Sequence, residues 1–358
     1  MRLEKLNWLR KISAKQIAVM CVVMVVIYFV ARPAGVDDDF DYDQDQDEVN
    51  MVGSMGSSYE DVEDCEEYCE AHMVYALHDS GYIVKTEANV ASGMSDVESI
   101  FSGIQNGSDR LQSNVDGLIP QSALLRGYVV DNDSLTLDLS ESFLYYRTSV
   151  EKDLLSSLVW SLTELPEIDR VHFQIEGEPV NNLNGGIDVG RGLTRQMGIN
   201  LEVGVPRVLD AQMMMLYFFT DDTENAMLVP VTRLVSPEVE SFEYAVSSLV
   251  RGPLGGSYIS VFNHEATLLE QPQVEEGIMT LNFSSELFFD QEQTQVSSQV
   301  IKQLVMTMTE FDEVSEVSVV VEGSSRVFDD VGNPITVPVS REILLDHESR
   351  GEGFTKGY

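Results

Sequence analysis

Positive charge is scarce in this sequence. Its 358 residues hold 22 Lys and Arg against 60 Asp and Glu, a formal net charge of -38. Affinity for nucleic acid comes mainly from neutralising phosphates with basic side chains, so neither DNA nor RNA is expected as a partner. Cysteine is scarcer still, with three in the chain. Cys21 lies inside an apolar run, which leaves Cys65 and Cys69 to form one disulfide at most. Their spacing would bring both thiols to one face of a helix, although two free thiols in an acidic segment is the simpler reading. No second cysteine pair completes a zinc set, and His72 and His78 are too isolated to help. The sequence also lacks a nucleophile elbow, a metalloprotease helix and a phosphate-binding loop. Gly252-Pro253-Leu254-Gly255-Gly256 is its one glycine-rich stretch and has no Lys-Ser/Thr ending, so it reads as a cap and turn.

What is present is a chain long enough for two domains at roughly 150 residues each, with a hydrophobic fraction of 43% that fits folded units. Residues 1–16 carry Arg2, Lys5, Arg10, Lys11 and Lys15 against Glu4, and an unbroken apolar run follows from Ile17 to Ala31. At about 1.5 Å per residue that run is somewhat shorter than the ~30 Å hydrocarbon core. Ser13, Ala14 and the stems of Lys15 and Arg32 can extend it, and Trp8 and Tyr28 suit the interfaces. A signal-peptidase site needs small residues at the first and third positions before the cut, but Phe29 and Arg32 occupy the third positions at Ala31 and Ala34. Met20 likewise disfavours a lipoprotein site at Cys21. The expectation is an uncleaved single-pass anchor over 17–31, with 1–16 cytoplasmic and everything beyond Arg32 outside the cytoplasm.

Residues 32–70 then form an acidic linker. No Lys or Arg occurs between Arg32 and Lys85, and self-repulsion keeps such a tract extended. Asp41, Asp43, Asp45 and Asp47 resemble the start of a calcium loop, yet Gln46 and Val52 stand where an EF-hand needs Gly and Glu. A solvated spacer is expected, with no metal site.

The rest is organised by a duplication. Leu135-Thr136-Leu137-Asp138-Leu139-Ser140 corresponds to Met279-Thr280-Leu281-Asn282-Phe283-Ser284. The segment from Leu158 to Leu165 corresponds to that from Leu304 to Phe311, and Val171 to Gly177 matches Val317 to Gly323. Val150, Leu154, Leu155, Leu158, Val159 and Leu162 share one helical face, as do Val296, Val300, Ile301, Leu304, Val305 and Met308. Strands are expected from Val171 and Val317 to their Glu-Gly ends, at 215–219 and 227–232, and at 266–271 paired with 278–283. A helix bearing Phe242, Ala245, Val246, Leu249 and Val250 stops at Arg251-Gly252-Pro253. The first copy repeats this with strands at 74–77, 82–84, 123–130 and 135–139 and a helix through Val97, Ile100, Phe101 and Ile104.

The fold class is therefore α/β, or α+β: two tandem β-β-α-β-β-α-β domains over 71–207 and 208–345, and a tail at 346–358. Both helices of each copy are expected on one face of a small mixed sheet. Terminal hairpins are expected near Gly185-Gly186 and Gly332-Asn333-Pro334.

The five histidines, His72, His78, His172, His264 and His347, do not recur between the copies. His172 is matched by Ser318 and reads as solvent-facing. Glu164 and Glu310 recur at helix ends, and Glu176 and Glu322 at strand ends. Repeated carboxylates can serve acid/base work, but without a partner acid nearby in sequence a structural role is preferred. No catalytic, cofactor-binding or metal residue is assigned.

On Leu228-Val229-Pro230-Val231-Thr232-Arg233, Leu249-Val250-Arg251-Gly252-Pro253, Thr309-Glu310-Phe311 and Val321-Glu322-Gly323, the second copy resembles the GerM domain family of sporulation and spore-germination proteins. The first copy keeps the second half of the pattern, with Ser102-Gly103-Ile104-Gln105-Asn106-Gly107 in place of the Arg-Gly-Pro stop. The resemblance covers about residues 71–345. It implies an extracytoplasmic, non-enzymatic role without cofactors, and modules similar to the ring-building units of secretion and sporulation channels. The implied partners are other envelope or sporulation-channel proteins, with a homo-oligomer left open. The family's usual lipid anchor is here replaced by the apolar run. A cell-wall hydrolase or a regulator of peptidoglycan remodelling is the alternative. The second copy is expected to carry the family-typical contacts.

Overall fold

A computed structural model describes residues 69–107, 115–222, 226–239, 242–290, 294–335 and 337–344. The expected anchor, residues 32–68 of the acidic linker with its calcium-like run, Cys65 and the tail at 346–358 lie outside the described residues, whereas Cys69 and Glu70, expected at the end of the linker, begin the first strand. Among the described residues no helix is long and apolar enough to cross a membrane.

The first copy begins with a hairpin of β1 (Cys69–His78) and β2 (Ile83–Ala91), followed by helix α1 (Asp96–Asn106). Ser95 starts α1 through a reciprocal cap: its hydroxyl accepts from the Glu98 amide while the Glu98 carboxylate accepts from the Ser95 amide. After β3 (Val115–Asp116) comes a second hairpin, β4 (Leu125–Asp131) and β5 (Ser134–Leu139), then the crossover helix α2 (Glu151–Leu162). Strand β6 (Arg170–Ile175) lies parallel to β5 and ends in the short pair with β7 (Glu178–Pro179). A connector holding β8 (Glu202–Val203) leads to the second copy.

There β9 (Gln212–Thr220) and β10 (Leu228–Val235) form the hairpin, and α3 (Phe242–Arg251) and β11 (Tyr258–Ile259) follow. Strand β12 (Gln273–Glu275) pairs with β13 (Ile278–Phe283), and α4 (Ser298–Met308) crosses to β14 (Glu316–Val321), parallel to β13. Glu176-Gly177, Glu276-Gly277 and Glu322-Gly323 each have two successive positive φ angles (53 and 83, 50 and 83, 50 and 74 degrees). Such turns match the right-handed twist of the strands they join, and a glycine in the second position avoids a steric penalty.

The strands do not form one mixed sheet per copy. The two leading hairpins fuse into a seven-stranded sheet of order β11-β9-β10-β2-β1-β3, with β8 added beside β10, while β4-β5-β6-β7 and β12-β13-β14 form separate small sheets. Helices α1 and α2 pack on β1, and α2 also reaches β6; α3 and α4 pack on β9, and α4 reaches β14. The crossover helices thus have sheet on two sides. The apolar stripe of α2 indicated only one side, but Ser156, Ser157, Trp160 and Ser161 are buried as well. A helix buried all round requires a second cover; Ser157 and Ser161 satisfy their hydroxyls against the Tyr75 backbone of β1, and Ser156 donates to the Gly198 carbonyl of the connector.

Two further expectations change. Residues 266–271 touch β13 through the single bridge Leu268↔Phe283, and the paired strand is the shorter β12 beyond Pro272. Proline has no amide hydrogen to donate to a ladder, which restricts regular pairing to the residues after it. The expected terminal hairpins are turns with isolated bridges, Asn182↔Asp188 and Phe328↔Pro334.

Candidate functional site

The repeated carboxylates sit in two matching clamps. In the first copy the Tyr75 hydroxyl donates to Glu164 Oε1 at 2.9 Å, and Arg195 Nη2 donates to the same oxygen at 2.8 Å. Arg195 also donates from Nε to Thr163 Oγ1 at 2.8 Å and from Nη2 to the Trp160 carbonyl at 3.2 Å, so its fork closes the C-terminus of α2. In the second copy the Tyr217 hydroxyl donates to Glu310 Oε1 at 2.8 Å. Arg341 reaches Thr309 Oγ1 at 2.7 Å, the Met306 carbonyl at 3.0 Å and Glu310 Oε1. Strand and crossover helix are tied in both: the Tyr75 amide donates to Ser161 Oγ at 2.8 Å and the Tyr217 amide to Thr307 Oγ1 at 3.1 Å.

These clamps lie within electrostatic reach of one another. Burial pushes both tyrosine hydroxyls well above their ordinary range, and Tyr217 also acts on Tyr75 while Arg195 acts on Tyr217. Among the described residues the first clamp also holds Lys85, whose Nζ lies 2.9 Å from Glu164 Oε2, where the second has Pro230 at the matching strand position. Burial alone would raise the Glu164 carboxyl, but Lys85 and Arg195 outweigh it and hold the group at about 2. A carboxylate that stays ionised at neutral pH, with both oxygens in ion pairs, is a poor general acid or base.

Lys85 faces Tyr75 in the first hairpin, and Pro230 faces Tyr217 in the second. That difference marks the junction of the copies. Strand β2 meets β10 antiparallel at Leu228↔Lys85. Asn200, with φ at 43 degrees, fills the next position: its Oδ1 accepts from the Ile83 amide at 2.8 Å, and its Nδ2 donates to the carbonyls of Ile83 and Pro230, both at 2.7 Å. Thr232 holds the same connector, accepting from the Ile199 amide at 2.9 Å and donating its own amide to the Ile199 carbonyl at 2.8 Å. Tyr82 and Val84 of the first copy enter the second copy's core, where Tyr82 meets Tyr258 edge-to-face at 5.2 Å.

Arg233 is buried with its partner Glu202, their side chains 3% and 6% exposed. Its Nε donates to Glu202 Oε2 at 2.8 Å and its Nη2 to the Gly252 carbonyl at 3.2 Å, which caps α3. Glu202 Oε1 accepts from the Tyr258 hydroxyl at 2.8 Å and the Leu254 amide at 3.0 Å. The motif residues Pro230, Thr232, Arg233 and Gly252 therefore serve the junction and the α3 cap. Since the hairpin order β9-β10-β2-β1 reads alike from either end, the copies meet about an approximate two-fold axis. Such an interface closes on itself.

The other candidates are separate. Glu176 accepts from the Glu141 amide at 3.0 Å, and Glu322 from the Ser285 amide at 3.2 Å, so each organises the turn after β5 or β13. His172 is half-buried beneath Gly192 and does not face solvent freely, because the segment after Gly190 folds over β6. His78 accepts from the Ser80 amide at 3.2 Å and stacks on Tyr82 at 5.1 Å. The Nδ1 of His264 donates to the Val250 carbonyl at 2.8 Å, beside an open cleft of 580 Å³ lined by Val246, Arg251, Leu268 and Leu269. Among the described residues no group of three His, Cys, Asp or Glu side chains is placed to hold a metal.

The profile of the Germane family, described as sporulation and spore germination, matches residues 73–181 and 215–327. The chain belongs to the Germane family. It is 27% identical over 277 residues to the spore germination protein GerM of Bacillus subtilis (strain 168), covering 75% of this chain and 76% of that protein. The solved structure of the tandem GerMN domains of the sporulation protein GerM from Bacillus subtilis superimposes with a TM-score of 0.69 at 25% identity, covering 76% of this chain and 97% of that one. This Germane protein is thus related to sporulation and germination.

The clamp glutamates of this Germane chain were recognisable from the duplication; their partners were not. Arg195 and Arg341 stand the same 146 positions apart as Glu164 and Glu310, in the short matches Thr194-Arg195 and Ser340-Arg341. That shared spacing is the signal in the sequence that marks them. Tyr75 and Tyr217 are offset by 142 positions, because the intervening connections differ in length.

Proposed function

We propose that the protein is a membrane-anchored, extracytoplasmic interaction protein of sporulation or spore germination. The observation that carries the interaction reading is the state of the repeated carboxylates: Glu164 is held ionised between Lys85 and Arg195, and Glu310 is engaged by Tyr217 and Arg341. Groups of this kind stabilise a framework and leave no free acid/base pair. The anchoring reading comes from the basic segment at 1–16 and the apolar run at 17–31. Partners are other envelope or sporulation-channel proteins, approached from outside the cytoplasm.

A peroxidase fused to the C-terminus tests this in living cells. Labelling in sporulating cells is expected to mark envelope proteins, with much less in vegetative cells. Labelling restricted to cytoplasmic proteins would overturn the topology, and labelling restricted to vegetative division would overturn the role in sporulation.

A further inference from the structure

We infer that β4 is an edge through which two copies of this chain pair. It is an outermost strand in the order β4-β5-β6-β7, so one side of its backbone has no ladder partner among the described residues. Natural strand edges are blunted by shortness, proline or charge. The corresponding edge of the second copy shows all three, since β12 has three residues, follows Pro272 and ends on Glu275. Strand β4 is different. It runs for seven residues without proline or lysine; its charges, Arg126 and Asp131, and its bulge at Leu125/Gly127 are confined to the ends, and its middle exposes Tyr128 at 37%, Val129 at 64% and Val130 at 43%, with Leu124 at 63% just before it.

The register shows which groups face outward. Asn132 and Asp133 form the two-residue turn, with φ of Asn132 at 54 degrees, and the hairpin closes on Asp131↔Ser134. In such a hairpin the closing pair is hydrogen-bonded and the pairs alternate from there. Val129↔Thr136 is therefore bonded to β5, while the amides and carbonyls of Val130 and Tyr128 point away. An edge free at 128 and 130 can pair with its own copy about a two-fold axis through Val129. Tyr128 of each copy then lies opposite Val130 of the other, exchanging both hydrogen bonds, and the two Val129 side chains meet at the axis. Aromatic and β-branched residues are favourable cross-strand partners.

Charge supports the same occupant. Arg126, exposed and already paired with Asp138 and Glu176 of its own chain, stands near the start of the strand, and Asp131 and Asp133 stand at its end. Antiparallel self-pairing sets the basic end of each strand beside the acidic end of the other, whereas parallel self-pairing would set like beside like. The chain already joins its own two copies by antiparallel strand edges, β2 and β10, in a different sheet. That interface closes on itself, so association of whole chains needs another edge.

This pairing adds a second copy of the chain to the partners of the proposed interaction protein and rests on that reading to that extent. The full chain in detergent, with Cys21, Cys65 and Cys69 replaced by serine, carries the test. Two Val129 residues in a non-hydrogen-bonded antiparallel pair have Cα atoms about 4.5 Å apart, close enough for a disulfide. Val129→Cys is expected to form a reducible dimer under mild oxidation about tenfold faster than Gln273→Cys on β12, and Val129→Lys in the native background to raise the dimer dissociation constant about tenfold or more. Equal cross-linking at both positions, cross-linking at neither, or an adduct of Val129→Cys only with another protein would overturn self-pairing. Proximity labelling in sporulating cells fails or succeeds independently of these results, so the two readings can fall separately.

Discussion

Asn200 does for Pro230 what a strand partner would otherwise do. Where β10 passes β2, Pro230 has no amide to donate, and the Asn200 side chain donates instead to its carbonyl and to that of Ile83 while accepting from the Ile83 amide. Replacing Asn200 with alanine leaves these three backbone groups without their partner at a part-buried junction. Unmet buried groups cost about 1–3 kcal/mol, and loss of asparagine at a positive φ adds to the penalty. Asn200→Ala is therefore expected to lower unfolding stability by about 2–3 kcal/mol. Urea unfolding followed by fluorescence of Trp160, which packs beside Ile83 and Ile199, checks this. An unchanged midpoint would show that the junction is not held by this side chain.

Much of this architecture was legible before the structure, for reasons that can be assigned to residues. The crossover helices announced themselves through Leu154, Leu158 and Leu162 and their counterparts, because a 3.6-residue period is a local property. The fused seven-stranded sheet was not legible, because it depends on one contact between β2 and β10 and on a side chain 117 positions away from Ile83. The clamps fell between these cases. Their glutamates lie in the well-matched half of the repeat; their arginines keep the same spacing but sit in two-residue matches too short to stand out, and their tyrosines lie across connections of unequal length. The second copy's motif is the one expected to carry family-typical contacts, and within the chain its Thr232 and Arg233 hold the connector between the copies.

Lys85 should make the two clamps respond differently to acid. Glu164 is held at about 2 in the folded protein against an ordinary value of 4.5. A folded pKa below the unfolded one means that the unfolded chain binds more protons between those values, so this contribution is complete above about pH 4.5 and is lost as pH falls toward 2. Glu164→Gln is expected to cost on the order of 2 kcal/mol at pH 7, after allowance for partial exposure, and much less at pH 3. Parallel urea titrations of variant and parent at the two pH values isolate the effect from other carboxylates. A difference that stays constant would rule out ionisation of Glu164 as its source.

The Glu202–Arg233 pair offers a contrast in burial. Removing one member of a buried pair strands the other charge, at about 3–5 kcal/mol, whereas replacing both by apolar residues is often far less damaging. Glu202→Leu and Arg233→Met are each expected to unfold at markedly lower urea, with the double variant more stable than the sum of the single losses implies. The Tyr258 hydroxyl and Leu254 amide also lose their acceptor in the first and the double variant, so recovery should be incomplete. Strict additivity in the double-mutant cycle would refute coupling between the two charges.

The close approach of α1 to its hairpin rests on Gly103. A Cβ there would stand 2.8 Å from the Cβ of Ala88 and 3.2 Å from Val74 Cγ1, and the Ala88 Cβ, fixed to the strand backbone, cannot swing away. Alanine would normally strengthen a helix by about 1 kcal/mol relative to glycine, while overpacking a filled core costs about 1–3 kcal/mol. The contact should win, so Gly103→Ala is expected to destabilise the protein despite its better helix propensity. Ala88→Gly removes the opposing carbon, and the pair Gly103→Ala with Ala88→Gly should recover part of the loss. Thermal unfolding of the three variants gives the answer: a stabilised single variant would mean that α1 can move outward at little expense, and no recovery in the pair would place the clash elsewhere than Ala88.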